Sequence, residues 1–342
     1  MLGVVLALAG ARLARRLDVP GPLLADAVVY AAVVGGAIEL ALLPFGLAGH
    51  RLSRRAGISR QDVRGWLRDR AKGGALALVF GSAALAVVVW LARAQPTWWW
   101  AILAALAIAF ELALTVVAPV LLLPLFLRSR PLADGVLRDD LLALAARAGV
   151  AVSAVRVLEA GAKTASANAA VVGLGPTRRI LLTDTLLGDE AAAGEATIAE
   201  ARAVLAHELG HHRSLDLWRF ALAGAVATLA SLGAAAWLVD RLPGALAHGG
   251  PRTLAGIPAL VLCAALTGLP GSLLLAAYSR RRERAADAFG IGVTGDGDAF
   301  ARALERLCDT NLAELQPPRL VQVRASHPAP GERIERARAR AA

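Results

Sequence analysis

The sequence predicts a multi-pass α-helical membrane protein that also carries a water-facing α+β domain. Of its 342 residues, 57% are hydrophobic and 19% are charged. This composition is too apolar for a soluble globular protein, yet charge interrupts it too often for a bundle that is only membrane. Five apolar stretches reach the length of about 20 residues that a helix needs to cross a bilayer. They cover residues 27–48, 73–92, 98–127, 217–239 and 255–278.

The predicted spans divide the chain into five segments. The apolar run 1–11 is too short to cross a bilayer by itself. It fits half of a signal-like segment, an interfacial helix or a truncated start. The segments are a short hydrophobic and basic stretch at 1–25, a membrane region with three spans and a basic loop (49–72) at 26–127, a first water-facing part at 128–216, two further spans at 217–278, and a second water-facing part at 279–342.

Positive charge predicts the orientation of the spans. A net charge of +10 would suggest a nucleic-acid partner in a soluble protein. Here the cations are mostly arginines beside apolar runs, where positive charge retains a loop in the cytoplasm, so we expect no nucleic-acid partner. The loop 51–72 contains eight Lys or Arg residues, whereas the connection 93–97 contains one. Alternation from this loop places both water-facing parts on the cytoplasmic side of the plasma membrane.

Two acidic residues, Glu39 and Glu111, lie inside predicted spans. An unpaired charge is costly at that depth, so such residues need a specific explanation. The two carboxyl groups either line an aqueous cavity, or they are protonated or paired between helices. The sequence leaves both alternatives open.

Hydrophobic periodicity predicts a small mixed domain in the water-facing segments. Gly175 and Pro176 form a turn between two apolar runs, which predicts a β-hairpin. The predicted helices are residues 133–148, one beginning near Thr197, and residues 298–315, and the predicted strands are 155–160, 168–174 and 179–184.

A histidine pair predicts a metal site on the helix that begins near Thr197. His207 and His211 stand four residues apart, so both imidazoles project from one helical face and can share a tetrahedral zinc ion. Glu208 lies beside that face, where a carboxylate can take a proton from an attacking water. The alternative is a chance pair on a polar face, but the chain has only six histidines. His212 points roughly 100° away around the helix, so we expect a surface or interfacial role for it.

The second water-facing part offers the third ligand. Its opening segment, SRRRERAADAFG (279–290), contains Glu283 and, four residues on, Asp287. Glu283 is the candidate ligand, and Asp287 is a candidate acceptor that fixes the tautomer of an imidazole. Taken alone, these acids are typical of a solvated helix in which they pair with arginines. Beside the histidine pair, we favour the metal interpretation.

Six blocks of the sequence resemble the type I CAAX prenyl endopeptidases and related integral-membrane zinc proteases, whose pattern combines HExxH with a later ExxxD. The resemblance implies a zincin-like (gluzincin) catalytic domain with one zinc ion per chain. It implies that His207, His211 and Glu283 are the zinc ligands. It also implies that Glu208 is the catalytic base. The blocks, in family order, are GWLRDRAKG (65–73), PLFLRSRPL (124–132), NAAVVGLGPTRRILLTDTLL (168–187), AVLAHELGHH (203–212), SRRRERAAD (279–287) and SHPAPGERI (326–334).

The last block carries two further candidates. In the family, the His and Arg of this motif face the metal and stabilise the transition state, which implies His327 and Arg333 here. A cationic or N–H donor near the metal would stabilise the oxyanion of a tetrahedral intermediate. The alternative is that the SHP sequence only caps and turns the chain.

The hairpin also resembles a family feature, an edge strand to which an extended substrate adds by backbone hydrogen bonds. The resemblance implies a substrate-binding role for Asn168, Ala169, Ala170 and Val171, and a buried structural strand is the alternative. Members of the family commonly have a polar residue or histidine before the Asn and an aromatic residue after the Asn-Ala pair. This chain has Ala167 and Ala170 at those places.

We therefore expect a membrane-embedded, zinc-dependent endopeptidase that cleaves membrane-associated proteins or peptides at the cytoplasmic face. Its partners would be a peptide or membrane-protein substrate and the lipid bilayer. Cleavage of prenylated CAAX substrates does not follow, because only the run 1–11 stands in place of the additional N-terminal spans of eukaryotic members.

One alternative is a heat-shock-type membrane protein quality-control protease. Another is a signal-transducing membrane metalloprotein, for which the outer connection 240–254 is too short to hold a sensor domain. A third alternative is a catalytically silent scaffold that keeps the zinc, and the presence of Glu208 argues against it.

Overall fold

The computed structural model describes residues 23–188, 195–244 and 248–340. The run 1–11 and most of the segment 1–25 therefore lie outside the described residues. In chain order the helices are α1 (Leu23–Arg55), α2 (Val63–Ala94), α3 (Trp99–Phe126), α4 (Val136–Arg147), α5 (Asp184–Leu187), α6 (Glu195–Arg213), α7 (Asp216–Val239), α8 (Ile257–Thr294), α9 (Gly297–Asn311), α10 (Arg319–Arg324) and α11 (Pro330–Arg338), and the strands are β1 (Ser129–Pro131), β2 (Ala154–Leu158), β3 (Ala169–Val172) and β4 (Arg179–Thr183).

Five of the described helices are long and apolar enough to cross a membrane: α1, α2, α3, α7 and α8, the last extended back to Leu254. Each corresponds to one predicted span, which confirms the predicted multi-pass helical fold. Helix α8 continues past the predicted end of its span at residue 278 as far as Thr294. The continuation is rich in alanine and arginine, which both favour helix. One uninterrupted helix therefore holds both the fifth span and the segment that contains Glu283.

The first compact unit contains the described residues up to Arg51, together with Asp62–Phe110 and Ala223–Ser272. Its largest cluster of buried side chains comes from α2, α3, α7 and α8 and includes Leu91, Trp99 and Leu260. These helices bury apolar residues against one another while much of their remaining surface is exposed and apolar. That pattern is expected of helices whose outer faces meet lipid.

Small and polar residues bring helices of this unit together. Thr267 Oγ1 of α8 donates a hydrogen bond of 3.0 Å to the carbonyl oxygen of Ser231 in α7. A Cβ at Gly268 would lie 3.1 Å from Ser231 Oγ, so the absence of a side chain there permits the approach. Between α1 and α2, Glu39 Oε2 lies 2.7 Å from Arg70 Nη2. Of the alternatives for Glu39, pairing between helices is the one observed.

The second compact unit contains Leu52–Gln61, Glu111–Leu222 and the described residues from Leu273 onward. Its four-stranded sheet has the order β1-β2-β4-β3. Strands β3 and β4 pair antiparallel, which confirms the predicted hairpin. Strand β2 pairs in parallel with β4 and antiparallel with β1. Within the part of the chain that the structure describes, β3 is an edge strand with no strand on its outer side.

The core of this unit orients helix α6. Leu205 and Leu209 of α6 are both fully buried, in a cluster to which β2, β4 and α4 also contribute side chains. They stand four residues apart, so they share one helical face. His207 follows Leu205 by two residues, or roughly 200° around the helix, and therefore lies on the opposite side. Packing of α6 on the sheet thus directs the histidine pair away from the sheet.

Helix α8 packs against that opposite side of α6 at backbone distance. A Cβ added at Gly290 would lie 2.9 Å from the backbone nitrogen of His207. A Cβ added at Gly210 would lie 3.2 Å from the Cα of Ala286. Real Cβ atoms do not approach backbone atoms as closely as 2.9 Å without displacing them. The two glycines therefore set the distance between the helices that contain the predicted ligands.

We predict opposite effects for two Gly→Ala substitutions on α8. Alanine is about 1 kcal/mol more favourable than glycine in a helix interior. Gly292→Ala should keep or raise the melting temperature, because nothing lies within 4 Å of a Cβ there. Gly290→Ala should lower the melting temperature and weaken metal binding by tenfold or more, because it displaces the backbone of His207. Calorimetry and metal titration of both variants check this, and equal behaviour of the two would contradict the proposed helix contact.

Candidate metal centre

The three predicted ligands meet at one point between α6 and α8. Nε2 of His207 lies 3.2 Å from Nε2 of His211. The Glu283 carboxylate places Oε2 3.4 Å from Nε2 of His207 and Oε1 3.3 Å from Nε2 of His211. One donor atom from each residue lies within 4.8 Å of the other two. The spacing of four on α6 and the close packing of α8 together produce this arrangement.

The donor set fits a bound divalent cation. Glu283 is only 6% exposed, and its Oε2 atom is buried without a hydrogen-bond partner. A buried carboxylate oxygen is costly unless a cation or a donor satisfies it. The Nε2 atoms of the two imidazoles face the same place, so a metal ion there would satisfy all three groups once both rings are deprotonated. His207, His211 and Glu283 are therefore the residues that could hold a metal.

His207 is supported on its far side by a buried ion pair. Its Nδ1 lies 2.8 Å from Asp287 Oδ1. Arg333 donates to both oxygens of the same carboxylate, from Nη2 to Oδ1 at 2.7 Å and from Nε to Oδ2 at 2.9 Å. Burial by itself lowers the pKa of His207, but the hydrogen bond to Asp287 and the Glu283 carboxylate outweigh it and raise the pKa to about 9. Asp287 thus lies where the sequence predicts a tautomer-fixing acceptor.

His211 has an equivalent support that the sequence analysis missed. Its Nδ1 lies 2.9 Å from Oδ2 of Asp216, a residue only 2% exposed. Arg282 of α8 donates from Nε to the other oxygen of Asp216 at 2.6 Å. Leu215 between α6 and α7 has a positive φ of 55°, and this left-handed residue turns the chain so that Asp216 faces back toward His211. The sequence shows only an acidic residue five positions after His211. Residues five apart do not share a face of a continuous helix, so this spacing did not indicate a contact.

Glu208 lies beside the ligands on α6. No hydrogen bond or ion pair to its carboxylate exists among the described residues, which leaves the oxygens available to a water molecule or a substrate. Burial raises the pKa of Glu208, and the neighbouring His207 and His211 oppose that effect. A carboxylate with a raised pKa is a stronger base than one in bulk water.

The SHP…ER block lies at the same site. Nε2 of His327 is 3.4 Å from Oε1 of Glu283, and the imidazole is 59% exposed, so it faces the open side of the centre. Arg333 on α11 places Nη2 3.8 Å from Oε2 of Glu283. Both candidates are therefore near the predicted ligands, His327 on the accessible side and Arg333 on the buried side behind His207.

Strand β3 lies beside the centre with its outer edge partly engaged. Thr183 N donates to Asn168 O at 3.0 Å. Because hydrogen-bonded pairs alternate in an antiparallel ladder, Ala169 and Val171 direct their N–H and C=O groups outward. The side chain of Asn168 accepts from the N–H of Ala169, and Nε2 of His212 donates to the carbonyl of Val171 at 2.8 Å.

His212 is not in the group of three side chains that could hold a metal ion. Burial lowers its pKa, the hydrogen bond to the strand raises it, and the nearby positive charge of Arg178 lowers it further. The net shift is downward, so a neutral ring that donates from Nε2 fits this position. A surface or interfacial role is expected for His212, and the structure shows a hydrogen bond from its ring to β3.

Comparison with known proteins identifies two matching profiles and several relatives. The profile of peptidase family M48 matches residues 131–341, and a profile described as the CAAX prenyl protease N-terminal region with five membrane helices matches residues 11–128. The chain is 30% identical over 307 residues to the uncharacterized metalloprotease YhfN of Bacillus subtilis, which covers 87% of this chain and 70% of that protein. It is 30% identical to CAAX prenyl protease 1 of Saccharomyces cerevisiae, over 55% of this chain and 40% of the yeast protein.

One solved structure is similar over most of the chain. The crystal structure of S. mikatae Ste24p superposes with a TM-score of 0.77 and 23% sequence identity, and the match covers 91% of this chain and 75% of that one. At this level of identity the match shows that the two chains share a fold.

We predict that metal binding to the metal-free protein strengthens as the pH rises from 6.5 to 8.5. The raised pKa of His207, about 9, means that its imidazole is protonated at neutral pH and must lose that proton to bind a metal. Affinity should rise about tenfold per pH unit for each imidazole that loses a proton. Competition titrations with a chromophoric chelator measure this, and calorimetry in buffers of different ionisation enthalpy counts the released protons. A pH-independent affinity would contradict the protonated ground state.

Proposed function

The chain belongs to peptidase family M48 and is a membrane metalloprotease, and from that premise we propose that its metal is zinc and that it cleaves membrane-associated proteins or peptides. The observation that carries the proposal is the convergence of two imidazoles and one carboxylate beside an unengaged glutamate. A tetrahedral zinc ion with ligand bonds of about 2.0–2.1 Å separates neighbouring ligand atoms by about 3.3–3.4 Å. The two imidazole nitrogens lie 3.2 Å apart, and each lies 3.3 or 3.4 Å from one oxygen of the Glu283 carboxylate, so the three groups are close enough to share such an ion.

The donor set supports a hydrolytic site rather than a structural one. Structural zinc sites have four protein ligands, whereas catalytic sites have three and leave one position open. His207, His211 and Glu283 are three, within the residues that the structure describes. When bound, the zinc ion would supply Lewis-acid chemistry that polarises the scissile carbonyl and acidifies the attacking water.

Glu208 is the proposed general base. Its carboxylate takes the proton of the attacking water and passes it to the leaving amine nitrogen, so it is restored at the end of the cycle. Partial burial suits the first step, because it raises the pKa of the carboxylate and so strengthens it as a base.

His327 and Arg333 are proposed to stabilise the negative charge that develops on the carbonyl oxygen. His327 is the better placed for direct contact, because its ring is on the open side and 3.4 Å from Glu283. The guanidinium of Arg333 is engaged by Asp287. We propose that Arg333 acts through its positive charge and that Asp287 positions His207.

Strand β3 is proposed to bind the substrate backbone. Two of its four outward groups have partners, the Ala169 N–H and the Val171 carbonyl. The Ala169 carbonyl and the Val171 N–H remain for an added strand, which would hold an extended peptide beside the metal. Backbone pairing selects an extended chain rather than a particular side chain. Prenylated CAAX substrates, which the names of several relatives indicate for those proteins, are therefore not required by this strand.

We propose that the protein lies in the plasma membrane with its active site on the cytoplasmic side. The support is the distribution of Lys and Arg, with eight in residues 51–72 against one in residues 93–97. The chain would change sides of the membrane at each helix that is long and apolar enough to cross it, which are α1, α2, α3, α7 and α8.

We predict that two engineered cysteines will report this orientation, in a background in which Cys263 and Cys308 are replaced by alanine. Thr97→Cys and Ala56→Cys both change exposed residues, one in each connection. A membrane-impermeant maleimide should label Thr97→Cys in intact cells and Ala56→Cys only after permeabilisation. The reverse pattern would place the active site outside.

We predict that Glu208→Gln retains the metal and loses peptide hydrolysis. Loss of a general base typically costs about 10²–10⁴-fold in rate. The neutral amide keeps the shape of the side chain and leaves the three ligands in place, so metal content should stay near one equivalent. Glu314→Gln, an isosteric change at an exposed residue of the same unit, is the matched control. Undiminished cleavage by Glu208→Gln would eliminate the proposed base.

A further inference from the structure

A small pocket lies beside His211, where the end of α6, the β3–β4 connection and the start of α7 meet. Most of its wall is apolar and comes from Leu174, Leu215, Leu217 and Trp218. The cavity measures about 60 Å³. One water-sized group needs about 10–15 Å³ on this measure, so the pocket has room for roughly four to six such groups. That is the size of one amino-acid side chain or one chain terminus.

Arg178 is the one arginine or lysine in the wall of this pocket. Its Nε atom is buried and has no hydrogen-bond partner among the described residues. A guanidinium presents a planar fork of donors, and a buried donor without an acceptor is costly. The pocket therefore combines apolar walls with a guanidinium whose Nε–H has no acceptor among the described residues.

The backbone around Arg178 is held in place. Its carbonyl accepts hydrogen bonds from both the backbone nitrogen and the Oγ of Ser153, at 2.7 and 2.8 Å. Thr177 Oγ1 bonds the backbone of Leu174 across the turn. Gly173, with φ of 90°, lies so close to Thr177 that a Cβ would be 2.5 Å from its carbonyl oxygen. The turn is thus a built support for the guanidinium rather than a loose surface loop.

The pocket continues the two features already assigned to the active site. His211, a predicted metal ligand, and His212, which bonds the outer edge of β3 at Val171, both line it. The strand leads directly into Leu174 at the pocket wall. A peptide lying on β3 with its scissile bond at the metal would therefore place a neighbouring residue in this pocket.

We infer that this pocket binds a carboxylate of the substrate, close to the scissile bond, through the Arg178 guanidinium. A carboxylate offers two coplanar oxygens that match the guanidinium fork. The carboxylate is either an Asp or Glu side chain or the free terminus of a peptide. Arg178 is then a specificity residue that selects acidic over neutral substrates, and this inference rests on the proposed endopeptidase function.

The test uses pairs of fluorogenic peptides that differ only in charge. One series exchanges Glu for Gln at each position around the cleavage site, and a second compares a free C-terminal carboxylate with its amide. The wild-type enzyme should prefer one acidic member about tenfold to a hundredfold in kcat/KM. A preference in the first series assigns a side chain, and a preference in the second assigns the terminus.

Three variants test whether Arg178 causes the preference for acidic peptides. Arg178→Gln should lose it, so that the acidic and the neutral member of each pair have nearly equal kcat/KM values, and Arg178→Lys should retain part of it. Arg179→Gln is the matched control, because it removes the same charge one residue along, in β4 and outside the pocket wall. No acidic preference in the wild type, or a preference that survives in Arg178→Gln, overturns the inference.

A binding measurement separates this inference from the proposed function. Acidic and neutral peptides are titrated into metal-loaded Glu208→Gln, with and without Arg178→Gln. Tighter binding of the acidic peptide that depends on Arg178 supports the pocket even if no peptide is cleaved, in which case only the proposed function fails. Equal binding of both peptides, together with normal cleavage by the wild type, overturns the pocket and leaves the function intact.

Discussion

The close packing of α6 against α8 through Gly210 and Gly290 is the constraint on which the site depends. Neither helix alone has three of the proposed ligands: α6 supplies two imidazoles, and α8 supplies one carboxylate. A Cβ at Gly290 would lie 2.9 Å from the backbone of His207, so any larger residue would separate the helices. Ligand bonds in a metal site tolerate a few tenths of an ångström at most. The glycines therefore determine whether a metal can bridge the two helices.

This packing also buries charged side chains, and ion pairs between them offset the free-energy cost of removing them from water. Each imidazole faces the centre with Nε2 and rests on a carboxylate with Nδ1, His207 on Asp287 and His211 on Asp216. Each of those carboxylates is in turn bonded by an arginine, Arg333 and Arg282 respectively. The arginines balance the supporting carboxylates, so the charge of Glu283 is balanced at the centre itself, by the protonated His207 in the metal-free protein or by a bound cation. The result is a centre in which ring orientation is fixed before any metal binds.

Much of the site could be predicted because its signals are local. An apolar run of membrane length, a histidine pair spaced by four and an acid pair spaced by four each follow from helix geometry. The hairpin was marked by Gly175 and Pro176. Strand β1 was not predicted because three residues are too few to show the alternating pattern of a strand. The parallel pairing of β2 with β4 was not predicted because the two strands are separated in the sequence by β3, and no local pattern indicates such a pairing. Asp216 and Arg178 were missed because each reaches the site only through a turn between two elements.

The central claim is that one zinc ion is held by two imidazoles from α6 and one carboxylate from α8, and X-ray absorption at the zinc edge of the purified protein tests it most directly. The account predicts about four nitrogen or oxygen neighbours at about 2.0–2.2 Å with the multiple scattering of two imidazoles. Replacement of His211 by alanine should remove one imidazole from that pattern. Sulfur neighbours at about 2.3 Å, which would implicate a cysteine, or six oxygen neighbours without imidazole would contradict it.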